Sequence, residues 1–101
     1  MRKVTEQTVT AFLNRKPRSV GNTFSTGNAL YLHGHKIAYW EGDGIVVSFC
    51  GWPTSTTKER LNGLLWLFKG CQPFYHKNFE LMMNDDVPVD PYGAYYFQRS
   101  K

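Results

Sequence analysis

Hydrophobic and polar positions alternate with a period of two in three successive runs of this chain. Leu30 and Leu32 alternate with Tyr31 and His33, Ile37 and Tyr39 with Ala38 and Trp40, and Ile45, Val47 and Phe49 with Val46 and Ser48. A strand turns successive side chains to opposite faces, so this period marks strands with one face buried. Gly34-His35 and Gly42-Asp43-Gly44 stand between the runs and carry the glycine and Asp-Gly chemistry of tight hairpin turns. The pattern predicts a three-stranded antiparallel meander.

The period changes on either side of the meander. Val9, Phe12 and Leu13 recur at helical spacing, with Thr5 placed as an N-cap and Val4 and Val9 as a hydrophobic staple. Pro17 ends this short helix near Arg15, because the residue before proline is pushed out of helical geometry. After the meander, Thr56 and Glu59 have the spacing of a capping box. Leu61, Leu64, Leu65 and Phe68 then form an apolar stripe, and Gly70 suits a C-cap. Trp66 lies off that stripe and reads as the edge of a wide core face or as an exposed contact. The polar stretch Ser19 to Asn28 reads as a loop or a brief edge strand around Thr23 to Ser25. Phe74 to His76 and Phe79 to Met83 predict a last hairpin around Lys77-Asn78. The expected fold is therefore a single α+β domain over residues 1–101. Its antiparallel sheet, the meander extended by the C-terminal hairpin, packs against a capped helix, with a short N-terminal helix beside it.

Charge adds one localised feature. Arg2, Lys3, Arg15, Lys16 and Arg18 against Glu6 place the whole net charge of +4 in the N-terminal end, since the other seven basic and seven acidic side chains cancel. With Lys58 and Arg60 these residues form the candidate nucleic-acid-binding set, because Lys and Arg gain by releasing the counterions of a phosphate backbone. The alternative is a solvated basic helix. Tyr31, Tyr39 and Trp40 could stack on bases if their sheet face is open. No run of apolar residues reaches the roughly 18 that a spanning helix needs, and the N-terminus has no apolar leader segment, so a soluble protein with no membrane partner is expected.

Catalytic chemistry finds little support. His33, His35, His76, Cys50 and Cys71 lack zinc-ligand spacing, and neither cysteine has a nucleophile signature around it. Both cysteines read as small packing residues. Asp85, Asp86 and Asp90 lack the glycine and terminal glutamate of a calcium loop and read as a solvated turn. Thr54 to Thr57 with Lys58 and Arg60 is the best local anion candidate, but a capping box already explains those residues. No metal, no cofactor and no enzymatic activity is expected.

The order of Leu30-Tyr31-Leu32-His33-Gly34, Lys36-Ile37-Ala38 and the run from Gly51-Trp52 through Thr54 and Thr56-Thr57-Lys58-Glu59-Arg60-Leu61-Asn62 resembles a family of small proteins encoded by tailed bacteriophages and prophages. The resemblance covers the chain to about Asn84, setting residues 1–84 apart as a body and 85–101 as an aromatic extension. It implies a phage accessory protein working in the host cytoplasm, as a monomer or small homo-oligomer. Tyr92, Tyr95, Tyr96 and Phe97 would form a sticky patch if all were exposed, so the tail should pack on its own domain or on a partner. With Trp66 these four are the candidate partner-binding residues. The expected partner is a host protein, such as a component of CRISPR or another defence system. Nucleic acid is the alternative partner.

Overall fold

The computed structural model describes residues 2–99. These form one α+β unit of two helices, a six-stranded antiparallel sheet and a separate three-stranded one. Helix α1 (Lys3–Leu13) leads into β1 (Pro17–Val20), β2 (Thr23–Thr26), β3 (Ala29–Leu32), β4 (His35–Glu41) and β5 (Gly44–Val47). After these come α2 (Ser55–Lys69), β6 (Phe74–Lys77), β7 (Glu80–Met83), β8 (Val87–Pro88) and β9 (Tyr95–Phe97). The large sheet runs β1-β2-β3-β4-β5-β9, and β6-β7-β8 stand apart. The meander thus has five strands where three were expected. Its far edge is closed by the tail rather than by the last hairpin.

Both helices pack on one face of the large sheet, where Val9 and Phe12 of α1 meet Leu61, Leu64, Leu65 and Phe68 of α2 in the core. Leu30, Leu32, Ile45, Val47 and Phe49 point into this core as their alternation predicts. Strand β4 departs from it. Leu30 pairs with Ala38 but Tyr31 with Lys36, so Ile37 is an extra, bulged residue, and Ile37 and Ala38 are both buried. One inserted residue reverses the alternation beyond it, leaving Trp40 on the core side and Tyr39 outside. Trp40 stacks on Phe12 at 5.4 Å and donates its indole N–H to the Phe12 carbonyl.

The hidden β1–β2 hairpin explains itself physically. Its core-facing residues are Thr23 and Ser25, both wholly buried, so no apolar alternation marks the strand. Ser25 donates to the Lys16 carbonyl at 2.9 Å, which lets a hydroxyl sit in the interior without an orphaned group. The turns and caps also shift. His33-Gly34, both at positive φ, connect β3 to β4 in place of Gly34-His35. Asn78 and Phe79 make the β6–β7 turn. Thr54, not Thr56, caps α2 by accepting from the Thr57 amide at 3.2 Å. Helix α1 starts two residues before Thr5, because the Thr5 hydroxyl is drawn to Glu59 at 2.5 Å and to Arg60 at 2.9 Å.

The small sheet carries an exposed charge network. Lys77 Nζ lies 2.8 Å from Asp86 Oδ2, and the Tyr75 hydroxyl sits among the Asp86 carboxylate, the Asp86 amide and the Asn84 carbonyl. Lys77 and then Tyr75 hold the Asp86 carboxyl below its ordinary value of 3.8. Asp86 in turn raises the Lys77 ammonium and the Tyr75 phenol above their ordinary 10.5 and 10.0. A lowered carboxyl stabilises the fold above its unfolded pKa and loses that contribution as pH falls through the folded value. The raised lysine and tyrosine contribute below their unfolded values and lose it as pH rises through the folded ones. The hairpin is therefore expected to be tightest between the two limits. In Asp86→Asn, NMR titration should return the Tyr75 phenol downward toward its ordinary value and flatten the acid-side change in the Met82 and Val87 amides. A Tyr75 midpoint unmoved by that substitution would rule the network out.

Candidate functional site

Residues paired across a sheet share a face, so the registers define the side that the helices leave uncovered. Phe24 pairs with Tyr31, and Tyr31 with Lys36. Ala29 pairs with Tyr39, Tyr39 with Val46, and Val46 with Tyr96. These residues make two rows on the uncovered face. The first is Phe24, Tyr31 and Lys36, with the two rings 5.8 Å apart. The second is Tyr39, Val46 and Tyr96, linked to the first by the Lys36 ammonium 5.3 Å over the Tyr39 ring.

Phe24, Tyr39 and Tyr96 are 42%, 37% and 52% exposed, which is unusual for three large rings on one strand surface. Val46 between the tyrosines is buried by them. Tyr96 is held in place by Gly44, where a Cβ would come within 2.4 Å of its ring. Among the described residues, the charged ones that register places on the strands of this face are Lys36 and Glu41, one of each sign.

The five expected partner-binding residues do not form one surface. Tyr95 and Phe97 turn inward, paired with Val47 and Ile45 and meeting the Phe74 ring at 6.5 and 6.3 Å. Tyr96 belongs to the open face, and Tyr92 is exposed beside Gly51. Trp66 is half exposed on the outer side of α2, across the helix layer from the open face. Phe24 and Lys36 are additions to the sequence-based candidates: the brief edge strand offered around Thr23 to Ser25 is β2, but nothing in the pattern told which face Phe24 takes. Phe79, fully exposed at positive φ on the β6–β7 turn, is another, and its signal was an Asn-Phe pair where Asn-Gly is usual.

The basic set does not converge either. Arg60 is 1% exposed and is removed from the nucleic-acid candidates: its guanidinium bonds Thr5, Thr23, Asn22 and Glu59 inside the protein. Arg15 lies 4.1 Å over the Trp40 ring, and Lys58 contacts His76. Arg2 and Lys3 lie at one end of α1 and Arg15, Lys16 and Arg18 beyond the other, so the 11-residue helix separates them by roughly 16 Å.

A cleft of about 350 Å³ opens at the end of the sheet beside the start of α2, lined by Leu32, His33, Ile37, Phe49, Trp52 and Thr56 among others. Among the described residues, no three His, Cys, Asp or Glu side chains gather as a metal site. Cys50 and Cys71 are free thiols packed at the margin of the core.

A family model described as Kyanoviridae Gp96 protein matches residues 1–99. The chain belongs to this bacteriophage protein family. The match runs through β9, so the aromatic tail falls inside it. No curated protein and no solved structure matches the chain. No helix of the described residues is long and apolar enough to cross a membrane.

Proposed function

We propose that this phage protein is a non-enzymatic accessory factor that binds a host protein, in the host cytoplasm, on the uncovered face of its large sheet. The observation that carries this reading is the charge-balanced aromatic surface of Phe24, Tyr31, Tyr39 and Tyr96. Tyrosine and phenylalanine give large contact area at modest entropic cost and are enriched where proteins meet. A component of a defence system such as CRISPR is the class of target that phage origin favours. A second reading, single-stranded nucleic acid stacked on the same rings, draws on Phe24, Tyr31 and Tyr39. The scattered basic residues and the balanced face count against it, since a polyanion needs a continuous positive track.

Capture from host lysate followed by mass spectrometry tests both. The wild-type chain should retain a stoichiometric protein. Tyr39→Ala should weaken that retention by roughly tenfold or more, as loss of a central interface tyrosine does, while Trp66→Ala on the helix side should leave it unchanged. Recovery of nucleic acid alone, with binding that falls steeply as salt rises, would replace this reading by the second.

A further inference from the structure

We infer that a second copy of this chain occupies the open sheet face when the target is absent, so that the protein forms a weak face-to-face dimer. This rests on the reading of that face as a protein-binding surface and names one occupant for it. The argument is its charge arrangement. Strand β4 carries Lys36 near one end and Glu41 at the other, both exposed, with Tyr39 between them on the same face.

Consider a two-fold axis running between two such faces, across β4 at the level of Tyr39. It lays each β4 antiparallel over its copy. Lys36 of each chain then faces Glu41 of the other, twice over, and the Tyr39, Val46 and Tyr96 row meets its own equivalent at the centre. The reversed orientation would set Lys36 against Lys36 and Glu41 against Glu41, and the repulsion excludes it. A surface that is its own complement under a two-fold rotation is what a closed dimer requires.

Size sets the strength. Six strands at about 4.8 Å spacing and roughly 14 Å of length give a flat footprint of about 350 Å², against the roughly 800 Å² per partner of a stable interface. The expected Kd is therefore weak, roughly 10⁻⁵ to 10⁻⁴ M, and a tighter target displaces the second copy.

Sedimentation velocity over a concentration series bracketing that Kd tests the inference. The wild type should pass from monomer to dimer. Lys36→Glu and Glu41→Lys should each weaken the dimer about tenfold, because each variant faces like charges at both contacts. The double variant Lys36→Glu with Glu41→Lys should recover, since it restores opposite charges across the axis. Both positions are exposed, so superimposable urea transitions serve as the folding control. A wild-type monomer throughout the series, or a double variant as weak as the single ones, overturns the inference. Should that occur while Tyr39→Ala still weakens capture of a host protein, only the second copy is lost and the binding reading stands.

Discussion

Arg60→Ala is expected to cost about 3 to 5 kcal/mol of folding stability, a large part of the roughly 5 to 15 kcal/mol of a small domain. The side chain lies within the interior, yet none of its groups is left unpaired. Its Nε donates to Thr23 Oγ1 at 2.9 Å and Nη1 to Thr5 Oγ1 at 2.9 Å, and the neighbouring Glu59 carboxylate pairs with the same nitrogen. One guanidinium thereby ties α1, α2 and β2 at their meeting point.

The expected loss arises from what alanine would leave behind. The Thr5 and Thr23 hydroxyls are wholly buried, and among the described residues no buried side-chain nitrogen or oxygen lacks a partner. Removing the guanidinium takes a donor from each hydroxyl, leaving Thr5 only its bond to Glu59 and Thr23 only its bond to Asn22. It also strips the part-buried Glu59 carboxylate of its cation, which is the costliest loss of the three. Lysine would not rescue the site, because a single ammonium cannot serve three elements in a fixed fork. Arg60→Met combined with Glu59→Gln, Thr5→Val and Thr23→Val should recover much of the loss, since neither a carboxylate nor those hydroxyls then need partners. Urea midpoints decide it. A drop below about 1 kcal/mol for Arg60→Ala would mean that water takes over the arginine's bonds.

The same arginine shows where sequence reading reached its limit. Arg60 falls four residues before Leu64 and three after Thr57, on the stripe that α2 buries, so its position was available. Its charge argued for solvent, and only the convergence of Thr5, Asn22 and Thr23 from distant elements makes burial tolerable. The α+β class, the capped helix and the core residues of β3 and β5 were legible because burial imposes a periodic pattern. Strand β1 was not, and β2 was legible only as one of two readings, loop or brief edge strand, since Thr23 and Ser25 satisfy the core with hydroxyls instead of hydrocarbon. The bulge at Ile37 was equally hidden: Ile-Ala-Tyr-Trp alternates in either register, and the pairing with β3 alone chooses. The candidate site suffered from both. Tyr39 and Phe24 could be placed on the open face only after the bulge and the first hairpin were known. Tyr96 was named from its tail, but which of the four tail rings face outward depends on how β9 registers against β5.

Deletion of residues 87–101 is expected to unfold the protein or make it insoluble. The sequence suggests a removable recognition extension whose loss leaves cooperative unfolding intact, and the packing changes that expectation. Val89 is buried and its amide donates to the Leu81 carbonyl at 3.0 Å, while the Pro91 carbonyl accepts from the Gly51 amide at 2.7 Å. Tyr95 and Phe97 cover Val47, Ile45 and Phe74. Val89 is buried and Tyr95 and Phe97 are partly buried, so losing all three removes some fraction of the roughly 1.5 to 3 kcal/mol that each would contribute at full burial, a sum that is a large part of the stability of a small domain. The cut also bares β5 as an unpaired edge, which invites association with other chains. Binding and folding are separated instead by Tyr92→Ser and Tyr96→Ser, which remove exposed rings and leave the inward pair in place. A deleted chain that still shows a cooperative urea transition at the full-length midpoint would mean that β9 docks on a sheet already stable without it. The tail's aromatic rings would then belong to recognition alone.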